Sequence, residues 1–596
     1  MTQIAMRLAA LRAAMKRHGM DAWLTPTNDF HGSEYIGDHF KARQFLTGFT
    51  GSVGTLVVTM DGAWLWVDGR YFVQAEKQLA GQPVQLQKSG QPGVPTVEEF
   101  LRQTMTSGQV LGMDGRVISA AEGLELQQTL AEAGATVCTS VDIVEEVWPD
   151  RPPMSMTPAR FLTEDFLGES RKARLERVRR VMAEQGAKSH LLTSLDDLAW
   201  LYLMRGNDIH CSPVIQAYSL ITLDDAVLYA QDGALSEAQR AELSADGIRT
   251  APYAQILTDV QFLTEGPLLL DPDIINFELR MRLPDELPLI QGQNPTLSMK
   301  IVKTPQEMEH IRQAHLKDGT AMTRFLYWVK HTVGKEPVTE VSAGEQLEAL
   351  RRQQEGYLGP SFDTIVAYGD NAAMCHYVAT PESDRTVEPR GFLLVDAGGQ
   401  YQDGTTDTTR TIVVGPVTEQ ERLHYTLVLK GMIGLSKIRF RQGYTGWNLD
   451  FAARRPLWEH GLDFNHGTGH GVGFMLNVHE PGNFIHWKLP EHMRTVYQEG
   501  MLVSNEPGCY VAGSHGVRHE NLQLCHQETA QDAVPFLYFE TVTLCPIDTE
   551  AIDLSYLDAD EKRWLNAYHR RVYEQIGPRL PEQERQWLQE VTKEIQ

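Results

Sequence analysis

The sequence is poor in positive charge, in paired cysteines and in long apolar stretches. It holds 54 Lys and Arg residues against 78 Asp and Glu, a net charge of −24 at pH 7. That excess of negative charge argues against a nucleic-acid or anionic-membrane partner. The six cysteines form no CxxC pair, which favours reduced thiols and a cytoplasmic location over a disulfide framework. No run reaches the roughly 18 apolar residues that a membrane-spanning helix needs.

Three common catalytic motifs are also missing from the sequence. It contains no phosphate-binding GxxxxGK[ST] loop, no GxSxG turn around a nucleophilic serine and no HExxH zinc-binding helix. A serine hydrolase and a single-zinc hydrolase of the HExxH type therefore have no support.

A repeated pattern indicates how the N-terminal half is organised. RLAALRAAMKRHGMDAWL at 7–24 matches RLERVRRVMAEQGAKSHL at 174–191 at a constant offset of 167 residues. Each stretch has the pattern of an amphipathic helix that a glycine ends and an apolar strand follows. The repeat predicts two related α/β domains, although generic helix–Gly–strand patterning is an alternative source of part of the match.

The first 20 residues are basic and contain no acid, as in a transit peptide. However, Ile4, Leu8, Leu11 and Met15 fall at helical spacing, which favours an integral first helix. Further along, the proline-rich segment 148–158 continues neither a helix nor a central strand and is predicted to be a linker. The expected α/β domains are therefore 1–153 and 154–298.

The third expected domain covers 299–596. Thr304 and Glu307 form a capping box that predicts the start of a long helix. From Phe392 onward, apolar strands alternate with helix-like segments, which predicts an α+β domain on a mostly antiparallel sheet. The tail from residue 551 is predicted to form closing helices.

Two acids mark the ends of predicted strands in this third domain. Asp396 ends the strand FLLVD, and Asp407 begins DTTRTIVV after a glycine-rich turn. A hairpin would bring the two carboxylates together, where they repel each other unless a cation lies between them. The alternative is that each acid serves only as a cap or turn residue.

Histidines follow in the segment HGTGHGVGFMLNVHEPG. His466 and His470 are separated by glycines, which let the backbone approach a ligand closely. His479 lies further along, and His376 lies upstream in AMCHYV. A single histidine of this kind is usually a surface or core residue, but a set beside acidic strand ends favours metal ligation or proton transfer.

Two further acids lie in apolar surroundings, Glu506 in LVSNEPGCY and Glu520 in GVRHENLQL. A carboxylate that leaves water there requires a compensating cation. A metal ion is one such cation, and a buried ion pair with Arg518 is the alternative for Glu520.

Five residues together offer four carboxylates and one imidazole: Asp396, Asp407, His470, Glu506 and Glu520. This set exceeds the needs of one ion and suits two adjacent divalent ions that activate water and polarise a carbonyl, which is hydrolytic chemistry. The oxygen-rich donors favour Mn²⁺ or Co²⁺ over Zn²⁺. Cys509 and Cys525 lack ligand spacing and are interpreted as bystanders.

The segments that carry these residues resemble the Xaa-Pro aminopeptidases (aminopeptidase P) of the large, three-domain cytosolic type. The resemblance rests on DGTTDTTRT, HGTGHGVG, NEPG and RHEN, and on SEYI, DGRYF, LDDLAWLYLMRGNDI and WLNAYH elsewhere in the chain. It implies two creatinase-like α/β domains followed by a pita-bread α+β catalytic domain with two divalent metal ions, and a homodimer.

The resemblance also implies a role for each metal ligand. Asp396 would bind one ion, Asp407 and Glu520 would bridge both, and His470 and Glu506 would complete the second site. Such a centre would hydrolyse the bond between an N-terminal residue and a following proline through a bridging hydroxide.

The same resemblance assigns the remaining catalytic roles. Glu506 would act as general base and then acid, while His376, His466 and His479 would bind substrate and steady the transition state. Two alternatives stay open within the fold: a prolidase-like dipeptidase specific for Xaa-Pro, and a non-catalytic pita-bread binding module.

Overall fold

The computed structural model describes residues 2–139, 141–264, 266–528 and 534–596. The chain forms two compact units. The first unit comprises Met1–Thr163 and Glu169–Thr296, and the second comprises Glu164–Gly168 and Leu297–Gln596.

The first half of the first unit contains one six-stranded sheet. Its strands are β1 Ala22–Pro26, β2 Thr55–Thr59, β3 Ala63–Val67, β4 Gln85–Lys88, β5 Val110–Met113 and β6 Thr136–Cys138. They lie in the order β4-β3-β2-β1-β5-β6. The central strand β1 pairs antiparallel with β2 and parallel with β5.

The second half of the first unit repeats this arrangement. Its strands are β7 Arg160–Phe161, β8 Ser189–Leu192, β9 Met204–Arg205, β10 Ala217–Thr222, β11 Ala226–Ala230, β12 Ile248–Pro252, β13 Leu268–Leu270 and β14 Leu289–Gln291. The sheet order is β12-β11-β10-β8-β13-β14, and β8 pairs antiparallel with β10 and parallel with β13. Because order and direction match the first sheet, the two related α/β domains that the repeat predicts are confirmed.

Helices alternate with these strands along the N-terminal half of the chain. They are α1 Gln3–Arg17, α2 Ala42–Thr47, α3 Phe72–Leu79, α4 Val97–Thr104, α5 Ala120–Glu132, α6 Ile143–Val147, α7 Glu164–Leu167 of the second unit, α8 Arg171–Gln185, α9 Leu195–Leu201, α10 Glu237–Ala245, α11 Ile256–Asp259, α12 Phe277–Arg282 and α13 Pro295–Lys300. Ile4, Leu8, Leu11 and Met15 are all buried, so α1 is an integral helix as its spacing predicts. The predicted linker 148–158 contains no helix or strand.

The described residues of the second unit form four antiparallel sheets. Its strands are β15 Tyr357–Pro360, β16 Ile365–Tyr368, β17 Phe392–Ala397, β18 Gly399–Tyr401, β19 Gly404–Thr405, β20 Thr408–Val413, β21 Arg439–Arg441, β22 Gly469–Gly471, β23 Glu480–Ile485, β24 Leu502–Asn505, β25 Gly508–Val511, β26 His515–Arg518, β27 Asn521–Gln527 and β28 Phe536–Thr541. The sheets have the orders β15-β18-β19, β16-β17-β20, β21-β28-β27-β24-β22-β23 and β25-β26. The predicted antiparallel α+β architecture is confirmed.

Six longer helices cover these sheets: α14 Pro305–Thr332, α15 Glu340–Arg351, α16 Glu419–Ser436, α17 Gly446–Trp458, α18 Ala559–Ile576 and α19 Glu582–Val591. The capping box predicted for α14 is present, with the Glu307 N–H donating to Thr304 Oγ1 and the Thr304 N–H to Glu307 Oε2. The helices α18 and α19 are the predicted closing helices.

The two faces of β17 have different surroundings, because helices cover one of them. Val395 packs with residues of α14 and α15 such as Phe325 and Leu347. Because side chains alternate along a strand, the next residue, Asp396, points to the opposite face. Among the described residues, no helix is long and apolar enough to cross a membrane.

Candidate metal centre

The β17–β20 pair positions the first two acids. Asp396 lies opposite Thr409 in the antiparallel register, and Asp407 immediately precedes β20. The intervening chain forms the short β18–β19 hairpin, whose tight return requires glycine. A Cβ atom on Gly398 would lie 1.9 Å from the Thr406 carbonyl oxygen, so no larger residue fits there.

The six-stranded sheet brings the other three candidates together. His470 lies on β22, Glu506 directly follows β24, and Glu520 directly precedes β27. Because β24 pairs with both β22 and β27, these residues become neighbours. The Glu520 N–H donates to the Thr409 carbonyl at 3.1 Å, which ties this sheet to β20.

Side-chain atoms of the five residues converge. Asp396, Asp407 and Glu520 offer ligand atoms within 4.8 Å of one another, as do His470, Glu506 and Glu520. His470 Nε2 lies 3.4 Å from Glu506 Oε1 and 3.5 Å from Asp407 Oδ2. Its Nδ1 donates to the Gly471 carbonyl at 2.8 Å, so in the neutral ring Nε2 keeps a lone pair for a cation.

Burial makes this concentration of negative charge costly. Desolvation, followed by the charge of Asp407, raises the pKa of Glu520 well above its usual value. Burial also raises the pKa of Asp396, and it raises that of Glu506 to about 7 against the opposing charges of His470 and Arg518. For His470, burial lowers the pKa, but the hydrogen bond with Asp407 and the charge of Glu506 outweigh it and raise the value to about 9.

The oxygen atoms of the cluster fit a pair of divalent cations. Asp396 Oδ1, Asp407 Oδ1 and Glu520 Oε1 are buried and make no hydrogen bond within the described part of the chain. Buried carboxylate oxygens without donors are expensive unless a cation compensates. The donor set is oxygen-rich with one imidazole nitrogen, which suits hard divalent ions.

Arg518 compensates only part of this negative charge. It pairs with Asp396 and not with Glu520, the partner considered from the sequence. Its Nη2 pairs with Asp396 Oδ2, whereas Glu520 Oε2 accepts from Thr409 Oγ1 at 2.8 Å. The alternative of a direct Glu520–Arg518 ion pair is therefore not observed.

Arg518 also begins a hydrogen-bonded chain to His466 that the sequence pattern did not reveal. Arg518 Nη1 donates to Tyr510 Oη at 2.7 Å, and Tyr510 Oη lies 2.8 Å from His466 Nε2. Since His466 Nδ1 donates to the Gly467 carbonyl, Nε2 of the neutral ring accepts the tyrosine proton. Burial and the charge of Arg518 lower the pKa of His466 to about 3, so the ring stays neutral.

The two other histidines occupy different positions around the cluster. His479 offers a ring nitrogen within 4.8 Å of the ligand atoms of Asp407 and His470, and its ring centroid lies 4.4 Å from that of His470. His376 follows Cys375, whose carbonyl accepts a 3.4 Å hydrogen bond from Arg518 Nη2. The structure thus brings His479 to the carboxylates, His466 to the arginine chain and the loop of His376 to the same arginine.

Comparison with family models agrees with this architecture along the chain. The Creatinase/Prolidase N-terminal domain matches twice, at residues 7–147 and 150–307. Metallopeptidase family M24 matches residues 309–527, and the C-terminal region of peptidase M24 matches 535–595. The two creatinase-like domains and the pita-bread domain expected from the resemblance are confirmed.

Individual proteins resemble the chain over its whole length. "Probable Xaa-Pro aminopeptidase P" of Botryotinia fuckeliana is 38% identical, over 95% of this chain and 89% of the relative. The protein of the same name from Coprinopsis cinerea is 36% identical, over 99% and 98%.

Solved structures give the same result. The crystal structure of X-prolyl aminopeptidase from Caenorhabditis elegans, described as a cytosolic enzyme with a di-nuclear active site, has a TM-score of 0.95, 32% identity and full coverage of both chains. The Xaa-Pro dipeptidase from Bacillus anthracis shares the fold at 24% identity and a TM-score of 0.51, over 63% of this chain. The chain belongs to metallopeptidase family M24, within its aminopeptidase P group.

Proposed function

We propose that the protein is a dinuclear metallo-exopeptidase that removes the N-terminal residue from peptides with proline in second position. The observation that carries the proposal is the convergence of four carboxylates and one imidazole in a buried cluster with orphaned oxygens. The full-length similarity to proteins named for Xaa-Pro aminopeptidase activity supports the substrate class.

The ligands divide between two ions in a way that the distances support. Asp407, His470 and Glu520 each belong to two ligand groups. A carboxylate has two oxygen atoms to share between ions, whereas an imidazole offers one free nitrogen here, so Asp407 and Glu520 are proposed as the bridging residues. Asp396 would complete one ion, and His470 and Glu506 the other. We propose Mn²⁺ as the ion in both positions, because hard oxygen donors dominate the set.

Protein side chains account for proton transfer and substrate binding. When bound, the two metal ions supply a nucleophilic water and polarise the scissile carbonyl. Glu506, with a pKa raised by burial to about 7, is suited to take a proton from that water and return it to the departing nitrogen. His376, His466 and His479 are proposed to contact the substrate around the scissile carbonyl.

A peptide bond before proline explains why a dedicated site is needed. That bond has no N–H, so a peptidase that recognises its substrate through this donor fails on it. The proline ring must instead be recognised by shape in an apolar pocket.

Purified protein reconstituted with Mn²⁺ should release the first residue from a tripeptide Xaa-Pro-Yaa and not from the matched Xaa-Ala-Yaa. The dipeptide Xaa-Pro is the control for prolidase-like activity. Full activity after complete chelation and dialysis would contradict the metal mechanism, and cleavage of the dipeptide alone would favour the prolidase alternative.

We also propose that the protein is a cytoplasmic homodimer. The cytosolic description of the worm enzyme supports the location. Three aromatic residues on α17, Trp447, Phe451 and Trp458, are 43–54% exposed, and such a patch suits association with a second copy. Light scattering should show a dimer for the wild type and a monomer for Phe451→Glu. The domain limits 1–153, 154–298 and 299–596 remain part of the proposal.

A further inference from the structure

A polar cavity lies in the second unit and is lined by none of the five candidate metal ligands. It has a volume of about 250 Å³ and is bounded by the end of β16, the loop before β17, the start of α16 and the β25–β26 turn. Its charged and polar lining includes Asp370, Arg385, Arg390, Glu421, Ser514 and His515. Ligand pockets typically start at about 300 Å³, so this cavity suits a small molecule of a few heavy atoms.

Two guanidinium groups stand at the cavity. Arg385 Nη1 pairs with Asp370, and Arg390 Nη2 lies 3.4 Å from Glu421 Oε1. In the described part of the chain, side-chain hydrogen bonds engage one nitrogen of each guanidinium. The remaining N–H groups can therefore bind a carboxylate, which guanidinium groups recognise in a planar, two-point geometry.

Glu421 provides the opposite charge from a buried position. Its side chain is only 5% exposed, whereas that of Arg390 is 61% exposed. Glu421 Oε2 accepts from the Thr418 N–H at 2.7 Å as part of the capping box of α16. Among the described residues, the other oxygen, Oε1, accepts only the 3.4 Å contact from Arg390, so it can accept a shorter hydrogen bond from an ammonium group.

One histidine, His515, lines the cavity, and a second, His424, lies behind it. His515 is buried, its Nε2 lies 2.9 Å from Nδ1 of His424, and its Nδ1 lies 2.8 Å from Ser514 Oγ. Burial lowers the pKa of both histidines. With these rings neutral, the charged groups that meet a ligand are the two arginines and the two acids.

We propose that this cavity binds a free α-amino acid as a zwitterion, with its carboxylate on Arg390 and Arg385 and its ammonium group on Glu421 Oε1. The balanced lining of two cations and two anions favours a ligand that carries both charges over a simple anion. The inference rests on the cavity itself, and the proposed peptidase reaction supplies free amino acids as its products.

Calorimetric titration of the Mn²⁺-loaded protein with L-alanine, L-leucine and L-proline tests the proposal. Propionate and ethylamine, each with one of the two charges, are the ligand controls. Wild type should bind at least one amino acid at about millimolar or better affinity and each control at least about tenfold more weakly. Equal binding of propionate, or no amino-acid binding at about 50 mM, would overturn the zwitterion site.

Variants separate this site from the metal centre. Arg390→Gln and Glu421→Gln should each weaken binding about tenfold or more, because each removes a charge-assisted hydrogen bond. Glutamine at 421 still closes the capping box, so α16 should remain intact. The matched control is Arg439→Gln, an arginine of 62% side-chain exposure paired with Glu528 elsewhere in the unit.

Peptide hydrolysis measured on the same samples keeps the two proposals distinguishable. Binding lost in Arg390→Gln, with hydrolysis and melting temperature at wild-type values, supports the cavity whatever the substrate of the metal centre is. Amino-acid binding that persists in Arg390→Gln within about twofold would place the ligand elsewhere and refute the site.

Discussion

Two sets of buried acids in the second unit are compensated in opposite ways. Asp318 on α14 accepts from Arg351 Nε at 2.8 Å, from Arg351 Nη2 at 3.3 Å and from Tyr401 Oη at 2.9 Å. Arg351 uses further N–H groups on the carbonyls of Ala397 and Gly398. This pair carries no net charge, and donors surround its carboxylate.

We define the carboxylate cluster as Asp396, Asp407, Glu506 and Glu520. Its four acids outnumber the basic side chains that contact them. Arg518 pairs with Asp396 and His470 contacts Asp407, while three oxygen atoms of the cluster have no donor in the described residues. Burial of an acid therefore does not by itself indicate a metal site. The informative quantity is the number of donors and cations that remain missing once the protein partners are counted.

The largest predicted effect comes from removing a bridging carboxylate. Glu520→Gln should lower kcat/KM at least about 10³-fold, because transition-state stabilisation by the two metal ions is worth several kcal/mol. The metal-free variant should be no less stable than metal-free wild type, since burial already raises the pKa of Glu520 and favours the neutral acid that glutamine resembles.

Elemental analysis, steady-state kinetics and denaturant unfolding of the same Glu520→Gln preparation check this prediction. Two ions per chain with near-normal kcat/KM would refute the bridging role of Glu520. Glu528→Gln is the control, because Glu528 forms an exposed ion pair with Arg439. Gln523→Glu is unsuitable, because residue 523 is buried.

The paired region should respond in the reverse manner. Arg351→Met leaves Asp318 buried without its cation, so the free energy of unfolding should fall by about 3–5 kcal/mol. Metal content should stay near that of the wild type, and kcat/KM of the folded protein should fall less than tenfold. Urea denaturation with and without Mn²⁺ measures the stability difference.

Arg351→Met combined with Asp318→Leu tests the reason for that loss. The double variant removes both charges and should recover much of the stability. A double variant as unstable as Arg351→Met would show that the carbonyl contacts at Ala397 and Gly398, and not the unpaired acid, account for the loss.

Sequence reasoning predicted the local features of the molecule better than the pairings between distant segments. The capping box of Thr304 and the helix–Gly–strand repeat depend on neighbours within a few residues, so their patterns are visible in the chain. The four candidate acids could be chosen because each lies at or beside an apolar strand, and His470 because it lies in a glycine-rich segment with several histidines. Their grouping into two overlapping sets depends on β24 pairing with both β22 and β27, which no local pattern specifies.

The partners of the buried arginines show the same limit. Arg518 lies two positions from Glu520, and proximity in sequence suggested that pair. However, Arg518 ends β26 and pairs with Asp396, 122 residues away, whereas Glu520 directly precedes β27. Asp318 and Arg351 lie on different helices, 33 residues apart, with no spacing that links them. Tyr510 was missed because its role depends on both Arg518 and His466.

Metal removal should expose an intermediate effect, a pH dependence specific to the cluster. His470 has a pKa of about 9 in the folded protein and about 6.5 in the unfolded chain. Its contribution to folding stability is therefore complete below about pH 6.5 and is lost as the pH rises towards 9. Glu506, with a raised pKa of about 7, likewise loses stability as pH rises from about 4.5 through 7. Metal-free protein should therefore become less stable between about pH 6.5 and 8.

His470→Gln is the reference for this measurement, because other titrating groups are common to both proteins. The stability difference between wild type and His470→Gln, measured without metal, should shrink as pH rises through that window. With Mn²⁺ present the wild type should instead bind metal more tightly as pH rises, because ligation releases the protons. A pH-independent difference between the metal-free proteins would show that His470 is neutral in the fold.

The smallest predicted effect concerns Tyr510, which joins the carboxylate cluster to His466. Tyr510→Phe keeps the ring but removes the acceptor of Arg518 and the donor to His466 Nε2, each a single hydrogen bond of about 1 kcal/mol. The kcat value should therefore fall about three- to tenfold while metal content stays constant. Tyr357→Phe, which removes a hydroxyl bonded to Glu348 away from the cluster, is the matched control and should keep wild-type kcat. If Tyr510→Phe instead loses metal, the tyrosine acts by holding Arg518 against Asp396. Arg518 would then both compensate the charge of the carboxylate cluster and position its ligands, a second role that Arg351 does not have at Asp318.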